Sequence, residues 1–264
     1  MPRRLIDAHN VSVRLSRGDH NPVVALDGVT LSVTSGERVV VIGSSGAGKT
    51  TLLRSLTGFV TPDSGQLTVD GVDLTDCHPG DLRRLRQRVA TIYQHFNLVE
   101  RLSALDNVLH GRLSHVGLIR GMLGVYPRRD RVIAFQALRE LGLGDHALQR
   151  VDQLSGGERQ RVTIARALVQ EPVIVLADEP AASLDLALTR QIMSLLTDLN
   201  KQHGLTVLVN LHDLELARSS ATRIIGLRRG AIVYDGPPTS LTDEHVRAIY
   251  DVASEPAGAI HAVA

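Results

Sequence analysis

The sequence predicts an α/β fold: a mainly parallel sheet covered by helices on both faces, with a small antiparallel β piece and an inserted helical region. Three observations predict it. First, continuous apolar runs, ERVVVIG (37–43), VIVLADE (173–179), LTVLVNL (205–211) and RIIGL (223–227), alternate with helical patterns. Strands buried on both faces read this way because crossover helices cover a parallel sheet above and below. Second, QLTVDGVDL (66–74) and AIVYDG (231–236) are short and carry Asp-Gly turn signals, as antiparallel pieces do. Third, residues 95–165 have no strong strand signal, and RRDRVIAFQALREL (128–141) sets Ile133, Ala134, Ala137, Leu138 and Leu141 on one helical face.

ERVVVIG ends at a glycine turn, and TTLLRSLTG (50–58) then reads as a helix stopped by Gly58. VATIY (89–93) is strand-like. The expected organisation is one domain over 1–251, with a core at about 1–94 and 166–251, a helical subdomain at about 95–165, and a loosely ordered tail, 252–264.

Bulk properties exclude several classes. The 264 residues hold 29 basic and 28 acidic side chains, a net charge of +1, which gives no push toward nucleic acid or a bare anionic membrane. Cys77 is alone, so no internal disulfide forms and a reducing compartment is expected. MPRRLIDAHN lacks the apolar stretch of a signal peptide, because Asp7 and His9 interrupt it. The most membrane-like segment, GLIRGMLGVY (117–126), is too short to span and holds Arg120, so a membrane role requires a partner.

Residues 43–50, Gly43-Ser44-Ser45-Gly46-Ala47-Gly48-Lys49-Thr50, match G-x-x-x-x-G-K-[ST] between an expected strand and an expected helix, with Thr51 next. Glycines let main-chain N–H groups converge on phosphate oxygens, and the helix N-terminus adds positive partial charge. Lys49 is expected to reach the β- and γ-phosphates and Thr50 to hold Mg²⁺. In VIVLADEP (173–180), Asp178 and Glu179 emerge at the C-terminal end of a strand, where open parallel sheets bind ligands. Asp178 fits a partner of Mg²⁺, directly or through water, and Glu179 fits the base that polarises the attacking water. Gln94 and His212 each follow a strand-like run. The amide of Gln94 suits Mg²⁺ and a water, and the imidazole of His212 suits the γ-phosphate.

A second glycine turn lies in QLSGGERQR (153–161). Ser155-Gly156-Gly157-Glu158 is S-x-x-E, a capping box in which Ser155 accepts from the Glu158 N–H and Glu158 reaches back to the Ser155 N–H. Two glycines at a helix start cost about 1 kcal/mol each against alanine. A helix N-terminus without side chains suits an anion.

The loop at 43–50, Gln94, LSGGE (154–158), ADEP (177–180), ASLD (182–185) and His212, in this order, resemble the ATP-binding cassette (ABC) ATPases over nearly the whole chain. The resemblance implies a P-loop NTPase (RecA-like) core using ATP and Mg²⁺. It implies that Ser155, Gly156 and Gly157 bind the γ-phosphate of ATP held by a second copy, in a head-to-tail dimer, and that Ser183 to Asp185 contact that copy. FNLVERLSALDNVLHGRL (96–113), VLADEPAASLD (175–185), VLVNLHDLELA (208–217) and RIIGLRRGAIVYDG (223–236) are similar to the ATPase subunit of bacterial phosphonate importers and its phosphite and hypophosphite relatives. That implies a peripheral subunit on the cytoplasmic face of the bacterial plasma membrane. It would work with transmembrane permease subunits docked after Gln94, and indirectly with an extracytoplasmic solute-binding protein. Another small solute such as amino acids is the competing cargo. A soluble ABC protein of DNA repair or translation is the rival class, although such proteins usually carry two cassettes or a long coiled coil. Two positions depart from the family. The adenine-stacking aromatic is missing near Leu15, with His20 the available substitute, and Leu186 stands where proline is common.

Overall fold

The computed structural model describes residues 3–17, 20–116, 120–121, 123–180 and 185–250. The chain opens with two long antiparallel strands, β1 (Arg4–Arg17) and β2 (His20–Thr34), which no sequence signal above anticipated. β3 (Arg38–Ile42) leads through the phosphate loop into α1 (Lys49–Leu56). β4 (Ser64–Val69) and β5 (Val72–Asp73) follow, and β4 pairs with β1, closing a four-stranded antiparallel sheet in the order β2-β1-β4-β5. Then come α2 (Pro79–Arg88), β6 (Val89–Ile92), α3 (Ala104–Leu109), α4 (Arg128–Glu140) and α5 (Gly156–Leu168). The last third holds β7 (Ile174–Asp178), α6 (Leu186–His203), β8 (Thr206–Asn210), α7 (Leu214–Ser220), β9 (Arg223–Arg228), β10 (Ala231–Gly236) and α8 (Asp243–Tyr250).

The second sheet has the order β10-β9-β3-β8-β7-β6. All its pairings are parallel except β10 with β9. Alternation along β3 shows why the apolar runs are continuous. Val39 and Val41 join a core shared with the antiparallel sheet and α1, while Val40 and Ile42 join the core on the opposite face, beneath the helices. Between residues 95 and 165 the only β feature among the described residues is the isolated Ser103–Arg150 bridge. α4 buries Ala134, Ala137 and Leu138, Leu141 is buried just beyond it, and Ile133 is half-buried, the apolar face expected from the spacing. No helix among the described residues is long and apolar enough to cross a membrane. Part of the 117–126 segment lies outside the described residues, as does the 252–264 tail.

Parallel pairing brings the functional strand ends together. The register sets Asp178 beside Asn210 and Asn210 beside Val41, so the segments after β6, β7, β8 and β3 all leave one edge of the sheet. Those segments begin with Gln94, Glu179, His212 and Gly43 respectively, or carry them within two residues.

Candidate nucleotide site

The phosphate loop wraps over the end of β3. Gly43 adopts φ 152°, and a Cβ there would lie 2.3 Å from the Leu227 carbonyl oxygen. Gly48, at φ 109°, would place a Cβ 2.4 Å from the Ala25 carbonyl. Both positions therefore need glycine on two counts, backbone conformation and space. Ser44, Ser45 and Gly46 form the exposed crest, and Ala47 is held below it by Gly230 N–H donating to its carbonyl at 2.9 Å. α1 begins at Lys49, and its N-cap Gly48 supplies no side-chain cap, so no side chain takes up its first N–H groups.

Lys49 is buried, and its Nζ donates to the carbonyls of Gly43 at 2.8 Å and Ser44 at 3.2 Å. Burial pulls its ammonium below the usual lysine range, while the Glu179 and Asp178 carboxylates act in the opposite direction. Thr51 is also buried, on the core side of the helix.

Thr50 Oγ1 donates to Asp178 Oδ1 at 3.2 Å, across the intervening β8. Asn210 Nδ2 donates to the same oxygen at 2.6 Å. Sequence reasoning missed Asn210. Its signal was present, a polar residue closing an apolar strand, the same pattern that marked Asp178. A hydroxyl and a carboxylate oxygen side by side are the hard donors that Mg²⁺ takes. Among the described residues no cluster of three or more His, Cys, Asp or Glu surrounds any point.

Glu179 follows at φ 49°, a left-handed conformation costly for a side chain of this size. Its Oε1 lies 2.5 Å from His212 Nε2, with the carboxylate mostly covered and the imidazole half-exposed. The main chain of His212 is held by the Tyr250 hydroxyl, which donates to its carbonyl at 3.4 Å from the end of α8. A carboxylate oriented by an imidazole, one residue beyond the aspartate that Thr50 and Asn210 hold, can take a proton from water. Gln94 is exposed and lines a groove of about 210 Å³ with Phe96, Leu98, Glu100, Val151 and Arg159. Among the described residues no hydrogen bond joins it to Thr50 or Asp178.

The helix start at Ser155 forms the expected capping box. Ser155 N–H and Oγ–H both donate to Glu158 Oε2 at 2.8 Å, and Glu158 N–H donates to Ser155 Oγ at 3.4 Å. The hydroxyl and the main-chain N–H hold the Glu158 carboxyl below the usual carboxylate range, and burial acts against them. Gly157 has a packing reason that the sequence did not show. It is buried, and a Cβ there would lie 2.7 Å from Leu188 Cδ1 of α6. Its glycine thus serves close helix–helix approach as well as leaving a bare helix end. No hydrogen bond or ion pair among the described residues joins 155–158 to the phosphate loop of the same chain.

Ser155→Ala should lower stability by about 1 kcal/mol at neutral pH, as loss of a helix cap does. A carboxyl with a depressed folded pKa stabilises above its ordinary range, and that gain is lost as pH falls through the folded value. The difference between wild type and variant should therefore shrink in acid, as urea unfolding at neutral and acid pH would show.

Leu15 is half-buried against the antiparallel sheet core, and the His20 side chain and Ser183 lie outside the described residues.

The chain matches the ABC transporter family model over residues 26–182. It is 50% identical over 231 residues to "Phosphonates import ATP-binding protein PhnC 1" of Rhodopseudomonas palustris, covering 88% of this chain and 86% of that one. It is 44% identical over 246 residues to "Phosphonates import ATP-binding protein PhnC 3" of Halalkalibacterium halodurans, covering 93% and 94%. Among solved structures, the dimeric post-hydrolysis state of the ATP-binding cassette MJ0796 bound to ADP and Pi superimposes with a TM-score of 0.76 at 33% identity, covering 89% of this chain and 99% of that one. A family model spanning more than half the chain, and relatives this similar over nearly all of it, leave one assignment for a phosphate site of this geometry: the chain belongs to the ABC transporter family, as an ATP-binding cassette ATPase.

Proposed function

We propose that this ATPase energises a bacterial phosphonate importer. It would act as a head-to-tail dimer against a partner permease on the cytoplasmic face of the plasma membrane. The observation that carries the cargo is the 50% identity, over most of both chains, to a relative named for phosphonate import. The MJ0796 cassette, a dimer with ADP and Pi, supports the pairing of two copies.

In this reading the loop from Gly43 to Thr51 holds the ATP phosphates, with Lys49 donating to the β- and γ-oxygens. Thr50, Asp178 and Gln94 would hold Mg²⁺, which supplies positive charge where negative charge builds on the transferred phosphoryl group. Glu179 takes the proton of the attacking water, oriented by His212, which also donates to the γ-phosphate. Ser155, Gly156 and Gly157 of one copy meet the γ-phosphate on the other. Charge-assisted hydrogen bonds then favour the closed pair only while that phosphate is present. To join it, Ser155 gives up the Glu158 carboxylate that its hydroxyl now bonds. Unchanged Ser155 geometry between structures with and without ATP would refute that exchange. The helical insertion, 95–165, carries the movement to the permease, which docks beside the groove at Gln94 and Phe96.

Uptake tests the cargo, because the ATPase touches none of it. A strain lacking this chain should lose uptake of labelled phosphonate and regain it on complementation. Loss confined to phosphite, hypophosphite or an amino acid would reassign the cargo and leave the ATPase intact. Co-purification with a membrane subunit separates all of these from a permease-free role.

A further inference from the structure

One stripe of α5 holds two loops at once. Arg159, Thr163 and Arg166 fall at i, i+4 and i+7 and share a face. At the near end, Arg159 Nε donates to the Leu154 carbonyl at 2.9 Å and Nη2 to that of Asp152 at 3.0 Å, fixing the segment that leads into Ser155. At the far end, Arg166 Nη1 donates to the Asn97 carbonyl at 2.6 Å and Nη2 to the Phe96 carbonyl at 3.0 Å. Thr163 Oγ1 adds a longer bond to Phe96 O at 3.4 Å. Phe96 and Asn97 lie two and three residues beyond Gln94, and Asn97 sits at φ 49°, a left-handed turn that asparagine tolerates.

The chemistry of Arg166 is specific. Its planar fork meets two successive carbonyls with two nitrogens in fixed geometry, whereas a lysine ammonium would have to reach both from one atom on a flexible stem and would hold them less rigidly. Burial lowers its pKa, the cost of desolvating a cation whose hydrogen-bond partners here are carbonyls rather than a carboxylate. An exposed or apolar residue would avoid that cost, so the position is occupied for what the fork does.

We propose that Arg166 is a positioning residue for hydrolysis. It locks the segment carrying Gln94 to the helix that opens at Ser155, so that both phosphate-reading groups move in one register. The proposal rests on the roles given to Gln94 and Ser155 above. A displacement of either end is transmitted along a rigid helix to the other, and Gln94 stays productive only while Arg166 holds its loop.

A double-mutant cycle on kcat for ATP hydrolysis by the purified chain tests this. Arg166→Lys should lower kcat about tenfold with the KM for ATP changed less than about threefold, since it leaves the phosphate loop untouched. Gln94→Ala should cost about tenfold in the wild-type background but less than about threefold in the Arg166→Lys background, because the amide is already out of place. Arg166→Met, which loses the fork and the charge, should show the same coupling; if it does not fold, the lysine variant carries the cycle alone. Equal losses from Gln94→Ala in both backgrounds, or an unchanged kcat in Arg166→Lys, would overturn the proposal and leave Arg166 a structural residue. No loss from Gln94→Ala alone would instead remove the role of Gln94, and the proposal with it.

Discussion

Glu179→Gln should bind ATP normally and lose kcat by about 10²–10³-fold. The amide matches the carboxylate in size and can keep its hydrogen bond to His212, now made at 2.5 Å. What it cannot do is accept a proton from water. The KM for ATP should stay within about threefold, because the phosphate contacts proposed above lie on the loop from Gly43 to Thr51 and not on this side chain. Phosphate release under saturating ATP measures the first effect, and nucleotide titration the second. Normal turnover in the variant would remove Glu179 from the chemistry and make its contact with His212 a structural one.

Lys49→Ala should act at the earlier step. The ammonium is buried at the base of the loop and spends its hydrogen bonds on the Gly43 and Ser44 carbonyls, within reach of the phosphates the loop is shaped to receive. Removing it takes away a charge-assisted donor to the triphosphate, and ATP affinity should fall by about 10²-fold. Two loop hydrogen bonds go with it, but so does a buried charge, so the melting temperature should move by only a few degrees. Titration with a fluorescent ATP analogue checks this directly. Affinity equal to wild type would mean that the phosphates bind elsewhere.

Most of the candidate site was legible in the sequence because the chemistry proposed for it is local. Main-chain N–H groups must converge on phosphate, so the glycines and Lys49 have to be adjacent in the chain. Asp178 and Glu179 end an apolar strand, and parallel pairing sends every such end to one edge. The long strands β1 and β2 were not legible, for a physical reason. Register shifts break their alternation: burial steps from Leu5, Ile6 and Ala8 to Val11 and Val13 around Asn10, which sits at φ 51°. Asp27-Gly28, a turn signal on paper, lies inside β2, with Gly28 at φ 60° and Asp27 N–H donating to Gly230 O at 2.9 Å. The contact of Gly157 with Leu188 and the clamp of Arg166 on Asn97 join residues 31 and 69 positions apart in the chain. Such pairs are fixed by packing and leave no short-range pattern.

The central claim is that ATP joins the phosphate loop of one copy to the helix start of another. The mass of Glu179→Gln in solution tests it most directly, because that variant holds ATP without spending it. Light scattering should give 28.6 kDa without nucleotide and twice that with Mg²⁺ and ATP. Adding Ser155→Asp, at an exposed position where a carboxylate can still cap the helix but sets a negative charge where the γ-phosphate must approach, should return the ATP sample to 28.6 kDa. A Glu179→Gln chain that binds ATP and stays at 28.6 kDa would contradict the account.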